Sequence, residues 1–153
     1  MTSIYPRGVG AYWAKIKYFK PHEFDSPGIS HSGFGCMQAS TIEKLNDARE
    51  IAGIPFVINS GYRTPTHNRK IGGVANSSHI HGYAVDIAVT NSSDRYKIIE
   101  ACVQVGFNRI GIGRTFVHVD NDPSKVKGVL WHYYPSRAVR VMRALGFSPR
   151  VDR

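Results

Sequence analysis

The sequence has only two cysteines and no long apolar run, and both features limit the classes of protein to which the chain can belong. Cys36 and Cys102 are too few for a disulfide scaffold, although they can pair with each other, and they lack the CxxC spacing of a structural zinc site. No apolar stretch approaches the roughly 18–20 residues that span a bilayer. The first residues, MTSIYPRGVGAYWAKIKYF, lack the unbroken apolar core of a secretory signal. We therefore expect no membrane span, and a protein made in the cytoplasm without a classical signal peptide.

Acidic residues are scarce, with 11 Asp and Glu against 20 Lys and Arg, which gives a formal net charge of +9. A basic surface attracts polyanions such as nucleic acid, anionic lipid or the anionic polymers of a bacterial envelope, and it also keeps a protein soluble. No helix-turn-helix, zinc-finger or RNP-like pattern accompanies this charge, so we expect no specific nucleic-acid binding. The length of 153 residues and the hydrophobic content of 42% are those of one ordinary globular domain. We therefore expect a single domain over residues 1–153.

The hydrophobic pattern predicts an α+β domain in which helices flank a small antiparallel sheet, with a core over about residues 17–135. The first 35 residues or so are loop-like. One helix is predicted to begin at a capping box over Ser40–Glu43 and to end at Gly53, and a second runs from Ser92 or Ser93 to Gly106. A basic helix is predicted at about 136–146. Strands are predicted at 54–60, 83–89, 109–113, 115–120 and 129–134, with the third and fourth forming a hairpin.

Seven histidines are many for this length, and three of them lie in segments that suggest chemistry. His79 and His81 belong to a long polar, turn-rich stretch, and His118 lies in the predicted strand FVHVD. His79, Asp86 and His118 offer two imidazoles and one carboxylate, a set that binds Zn²⁺ and leaves a fourth position open. Such an ion stays Lewis acidic and activates water or a carbonyl group. Spacing alone also allows ordinary surface or hydrogen-bonded core histidines.

Two motifs in this region, read together, resemble a known family. Residues 60–63 read SGYR, residues 77–86 follow S-x-H-x-x-G-x-A-x-D, and a later strand carries His118. This combination is similar to that of the zinc D-alanyl-D-alanine carboxypeptidases and their L-alanyl-D-glutamate endopeptidase relatives. That group shares its core fold with lysostaphin-type peptidases and the Hedgehog signalling domain. The segment FKPHEFDSP also resembles the start of the subgroup whose last motif is FVHVD, so the resemblance covers about residues 17–120.

The resemblance implies a zinc peptidase whose metal ligands are His79, Asp86 and His118. Its substrates would be the stem peptides of peptidoglycan, which contain D-residues. Arg63 would hold a substrate carboxylate or carbonyl, a role that suits its planar guanidinium, or it forms a structural ion pair. Ser77 would hydrogen-bond the peptide terminus, or it caps its own loop.

The general base departs from the family pattern. Several relatives have an acidic residue three positions before the last ligand, where this chain has Thr115. Asp120 lies two residues after His118 and therefore on the same face of a strand, so it is a candidate for the base or for the residue that orients His118. His81 is the other candidate. The missing acid leaves open an alternative in which the domain binds zinc without catalysis.

Size and context favour one branch of the family. A compact chain without an export signal or a separate wall-binding domain resembles phage lysis or virion enzymes. We therefore expect a phage-type endopeptidase, delivered by a phage or released at lysis, with a D-Ala-D-Ala carboxypeptidase as the alternative. Arg137, Arg140 and Arg143 lie on one face of the predicted basic helix, which either attracts anionic wall polymers or is simply solvated. We expect a monomer.

Overall fold

A five-stranded sheet forms the centre of the computed structural model, which describes residues 8–147; the outer limits of the predicted 1–153 domain lie outside these residues. The spatial order of the strands is β1-β2-β4-β3-β5. Neighbouring strands are antiparallel, except that β5 runs parallel to β3. This follows from the loop between β4 and β5, which reverses the chain so that β5 takes the direction of β3. The strands are β1 Val57–Ser60, β2 Ala84–Ala88, β3 Arg109–Ile112, β4 Phe116–Asp120 and β5 Val129–His132.

Five α-helices and two 3-10 helices surround the sheet within the described residues. Helices α2 and α4 pack against each other, and their apolar side chains recur at helical spacing so that Ile42, Leu45 and Ile98 are buried. The structure confirms the predicted α+β class with a small sheet and flanking helices. The helices are α1 Ser32–Cys36, α2 Ala39–Ala52, α3 Pro65–Lys70, α4 Ser92–Gln104 and α5 Arg137–Ala144, and the 3-10 helices are Ala11–Lys15 and Pro21–Phe24.

The structure corrects the predicted starts of the two central helices. The capping box at Ser40 is wrong, because α2 begins at Ala39 and has Gln38 as its N-cap without a side-chain cap hydrogen bond. The Ser40 hydroxyl instead accepts a hydrogen bond from Asn121 in the loop after β4. Helix α4 is capped by Asn91, whose side chain accepts from a backbone N–H of the first turn, and not by Ser92 or Ser93.

Two segments that look like loops in the sequence contain short helices. Residues 8–36 include both 3-10 helices and α1, so the prediction of a loop-like segment is wrong for this part of the chain. Phe19 and Phe24 from this segment are buried in the core, with their rings in edge contact at 5.5 Å. The turn-rich stretch before β2 contains α3, which is capped by the Thr64 side chain and has Pro65 in its first turn.

Two further predictions from the sequence concern the pairing of the cysteines and the presence of a membrane span. Cys36 and Cys102 are both free thiols, so they do not pair. Between residues 8 and 147 the structure contains no helix with the length and apolar character needed to cross a bilayer.

Candidate metal centre

Strand register brings two of the predicted ligands together. Asp86 on β2 and His118 on β4 are direct partners in the antiparallel ladder. Because side chains alternate along a strand, both lie on the face opposite Val85 and Val117, which are fully buried in the core. Asp86 Oδ1 lies 2.9 Å from His118 Nδ1. The sheet itself therefore fixes this half of the site.

The third predicted ligand, His79, comes from the turn that leads into β2. Its Nδ1 lies 2.7 Å from the carbonyl oxygen of Gly61, which orients the ring, and its Nε2 lies 3.3 Å from Asp86 Oδ1. The backbone around it is held by Arg63, whose N–H donates to the His79 carbonyl. Gly82 completes the turn with a φ of 74°, and a Cβ there would lie 1.9 Å from the carbonyl oxygen of Cys36. The glycine of the motif is therefore required by both backbone conformation and space.

Together the three side chains form a group that can hold one metal ion. Their ligating atoms lie within 4.8 Å of one another. His79, Asp86 and His118 are 2%, 8% and 7% exposed, so the donors are buried without being sealed from solvent. Two imidazole nitrogens and one carboxylate form the donor set of a catalytic zinc site that keeps one position open. The residues present therefore fit zinc.

The charge states of Asp86 and His79 suit a cation. Burial lowers the pKa of His79 below its usual range, and the Asp86 carboxylate only partly offsets this effect. Burial also raises the pKa of Asp86, but the charges and hydrogen bonds of the two histidines outweigh it and bring that pKa well below its usual range. Burial lowers the pKa of His118, whereas hydrogen bonds with Asp120 and Asp86 raise it, with a net increase. Asp86 is thus ionised and His79 neutral at pH 7, the forms in which each binds a metal.

Asp120 lies behind His118 as its hydrogen-bond partner. The Nε2 atom of His118 is 2.8 Å from Asp120 Oδ2, which leaves the other ring nitrogen, Nδ1, facing Asp86. Arg109 Nε donates to Asp120 Oδ1 at 2.8 Å, and the backbone N–H of Asp122 donates to the same oxygen at 3.3 Å. Both carboxylate oxygens of Asp120 are therefore engaged, and the residue is 1% exposed.

Arg63 holds the other side of the site. Its Nη2 donates to Asp86 Oδ2 at 2.9 Å, and its Nε donates to Ser60 Oγ at 2.9 Å. Asp86 is consequently bound by Arg63 through one oxygen and turned toward both histidines through the other. The ion pair that the sequence left as one alternative for Arg63 is present, and the side chain also lines the cleft.

The site opens into a cleft of about 240 Å³ with a mixed polar and aromatic lining. Ser77 lies on its wall, and its hydroxyl accepts a hydrogen bond from the backbone N–H of His79 at 3.3 Å. Residues that the sequence reasoning did not single out complete the lining. They are Gly73, Val74, Ser78, Arg109, Phe116, Lys125, Trp131 and Tyr133.

The aromatic part of this lining depends on Gly111. Gly111 on β3 is the register partner of His118 on β4 and of Trp131 on β5. A Cβ on it would lie within 2.7 Å of both the Trp131 indole and the Tyr133 ring. The missing side chain lets Trp131 approach His118 to a ring separation of 5.4 Å. The pattern RIGIG beside FVHVD is the signal that could have indicated this aromatic wall.

His81 and Thr115 are not part of the cleft lining. His81 is exposed and lies in a second surface depression, where its carbonyl oxygen accepts from the Gln38 side chain. Thr115 precedes β4 and uses its carbonyl oxygen to accept from Val89. The structure therefore brings Asp120, Arg63 and Ser77 to the three candidate ligands, and it does not bring His81 there.

The small sheet thus carries a His-Asp-His group in the lining of a cleft, and this group could hold one metal ion. Comparison with protein families matches residues 17–120 to Peptidase M15, and this span covers most of the chain and includes all three candidate ligands. The protein therefore belongs to the Peptidase M15 family, a family of zinc metallopeptidases. This supports the resemblance seen in the sequence at the level of the family. No curated protein sequence matches the chain.

Proposed function

We propose that this protein is a zinc-dependent, phage-type endopeptidase that hydrolyses a peptide bond in the stem peptide or cross-link of peptidoglycan. The observation that carries the proposal is the buried His79–Asp86–His118 group at the floor of the cleft, in a chain of the Peptidase M15 family. The resemblance to the subgroup with a final FVHVD motif supports the phage-type assignment.

The three ligands would hold the metal. A bound zinc ion supplies Lewis acidity, which polarises a peptide carbonyl and lowers the pKa of water. Asp86 and His118 are fixed for this purpose by the β2–β4 register, and His79 by its hydrogen bond to Gly61. The ligands are thus held in place by the protein before metal or substrate binds, which reduces the cost of assembling the site.

We assign Asp120 the role of orienting the His118 ring. A carboxylate that pairs with the outer nitrogen of a ligating imidazole fixes its tautomer and makes it a better ligand. Asp120 has this arrangement, and Arg109 holds its remaining oxygen. Since both oxygens are already engaged and the residue is buried, the geometry favours this role over that of a general base.

Arg63 is assigned two roles that the same geometry allows. Its ion pair with Asp86 holds one oxygen of the ligand carboxylate and so fixes the orientation of that group. Its place on the cleft wall also puts positive charge where a peptide substrate carries carboxylates. Ser77 accepts from the His79 backbone, so it stabilises the ligand loop and offers its hydroxyl to the cleft.

The carboxypeptidase reaction is the second candidate, and one observation favours it. Arg63, Arg109 and Lys125 all line the cleft, and Arg and Lys side chains bind a terminal carboxylate well. The zinc-binding module without catalysis is the third, since the position three residues before His118 carries Thr115 and no acid.

Digestion of purified peptidoglycan, followed by mass analysis of the released fragments, tests the proposal. We expect new amino groups at one stem-peptide bond, lost on chelation and lost in His79→Ala. Release of free D-Ala alone would make the protein a carboxypeptidase. Zinc bound at one ion per chain without any product would identify the non-catalytic module.

A further inference from the structure

Helix α5 has no buried residue, although its sequence is strongly amphipathic. A helix of eight residues is marginally stable without packing of its apolar face. Val141, Met142 and Leu145 are nevertheless 51%, 42% and 70% exposed. Within the described residues, this helix therefore offers an apolar face that is not covered by the rest of the fold.

The large apolar side chains of α5 lie mainly on one face, and its arginines lie on the other. At 100° per residue, Ala138, Val141, Met142 and Leu145 follow the i, i+3, i+4, i+7 spacing of one apolar stripe. The arginines 137, 140 and 143 lie on the opposite side, and the helix contains no acidic residue. This is the pattern of a helix that lies in the plane of a membrane surface, with its apolar side in the lipid and its cationic side at the headgroups.

The surrounding segment extends the same surface chemistry. Residues 123–147 contain five Lys and Arg residues and no Asp or Glu. Residues 126–147 are a small part of the described chain. They nevertheless contain half of its exposed large apolar side chains. These side chains are Val126, Leu130, Tyr134, Val141, Met142, Leu145 and Phe147. Positive charge and exposed apolar area are therefore concentrated in one region.

We propose that α5 is an interfacial helix that binds the surface of an anionic lipid bilayer. Charge complementarity selects this occupant, because the arginines attract acidic headgroups while the apolar stripe enters the acyl boundary. An anionic wall polymer would use the arginines alone and leave the apolar stripe in water. A second copy of the chain would cover the stripe but bring two acid-free cationic segments together.

Co-sedimentation of the full chain with vesicles tests the proposal independently of any peptidase activity. The probes are vesicles of phosphatidylcholine with phosphatidylglycerol, and vesicles of phosphatidylcholine alone. We expect binding to the anionic vesicles that weakens with salt and falls about tenfold or more in V141S/L145S and in R140Q/R143Q. Since residues 140–145 are all exposed, these variants keep the fold. The matched control is V103S/K97Q on helix α4, which removes an exposed apolar and a basic residue and leaves binding unchanged.

Three results would overturn the proposal. One is an absence of binding to either vesicle. Another is binding lost in R140Q/R143Q but kept in V141S/L145S, which would indicate charge attraction alone, as for a wall polymer. The last is a dimer in analytical ultracentrifugation that L145S dissociates, which would identify a second copy as the occupant.

Discussion

Asp86 and His118 are direct partners across two antiparallel strands, and their ligating atoms are 2.9 Å apart. The register that pairs them also places Val85 and Val117 on the opposite face, in the core. A slip of one residue in either strand would turn a ligand into the core and a valine into the cleft. The candidate metal site is therefore positioned by the same apolar alternation that stabilises the sheet.

The metal ligands are tested by conservative variants. We expect Asp86→Asn and His118→Gln each to lower zinc affinity by about 100-fold or more, because three ligands are the minimum for such a site. The measurement is zinc titration followed by metal analysis of the dialysed protein. The matched control is His81→Gln, an exposed histidine outside the cleft, which keeps wild-type zinc affinity and activity. Loss of zinc in His81→Gln would contradict the ligand assignment.

The orienting role of Asp120 predicts an effect on affinity rather than on zinc stoichiometry. We expect Asp120→Asn to weaken zinc binding about 10–100-fold and to lower kcat/KM while retaining one zinc at saturation. Arg109→Met removes the donor that holds Asp120, and we expect a smaller loss of the same kind. If Asp120→Asn kept zinc affinity and instead removed the acidic limb of the pH–rate profile, Asp120 would be the general base.

We expect substitution of Gly82, the glycine of the motif, to lower the free energy of unfolding strongly. In Gly82→Ala the new Cβ combines a left-handed backbone with overlap against the Cys36 carbonyl, and we expect a cost well above the 1–2 kcal/mol of the backbone alone. Gly72→Ala is the matched control, since Gly72 has a φ of 75° and open space around its Cβ position. Urea unfolding gives both free energies, and equal costs would contradict the steric account.

The two free cysteines are expected to differ in reactivity. Burial raises the pKa of the Cys102 thiol to about 12, so this residue stays protonated and inaccessible in the native protein. Cys36 is partly exposed. A thiol reagent at pH 8 should therefore modify one cysteine per native chain, and Cys36→Ser should remove that reaction. Two equally fast equivalents would show that the core around Cys102 opens.

Much of this architecture could be predicted from local patterns. The apolar periodicity of α2 and α4 and the strand alternation of FVHVD depend on neighbours in sequence, and those elements lie where the patterns indicate. The predicted start of α2 was wrong because the Ser40 side chain hydrogen-bonds Asn121. This contact joins residues far apart in sequence, so no local motif indicates it. The short helices before residue 37 were missed because each is too short to show a helical repeat of apolar residues.

In the candidate site, too, local sequence predicted some residues, whereas others depend on contacts across the fold. His79, Asp86 and His118 stand out through residue type and spacing, and the structure brings them together. Arg109 and Trp131 were missed because they reach the cleft only through the pairing of β3 with its neighbours. Strand β5 runs parallel to β3 because the loop after β4 reverses the chain direction. The sequence of that loop does not predict this pairing.

Reconstitution of the metal-free protein tests the central claim most directly. Chelated protein is incubated with purified peptidoglycan before and after addition of one equivalent of zinc, and new amino groups are counted. We predict no release without zinc, release at one kind of stem-peptide bond with zinc, and none in zinc-treated His118→Gln. Binding of one zinc per chain with no release of amino groups or amino acids would contradict the claim that this protein is a peptidoglycan peptidase.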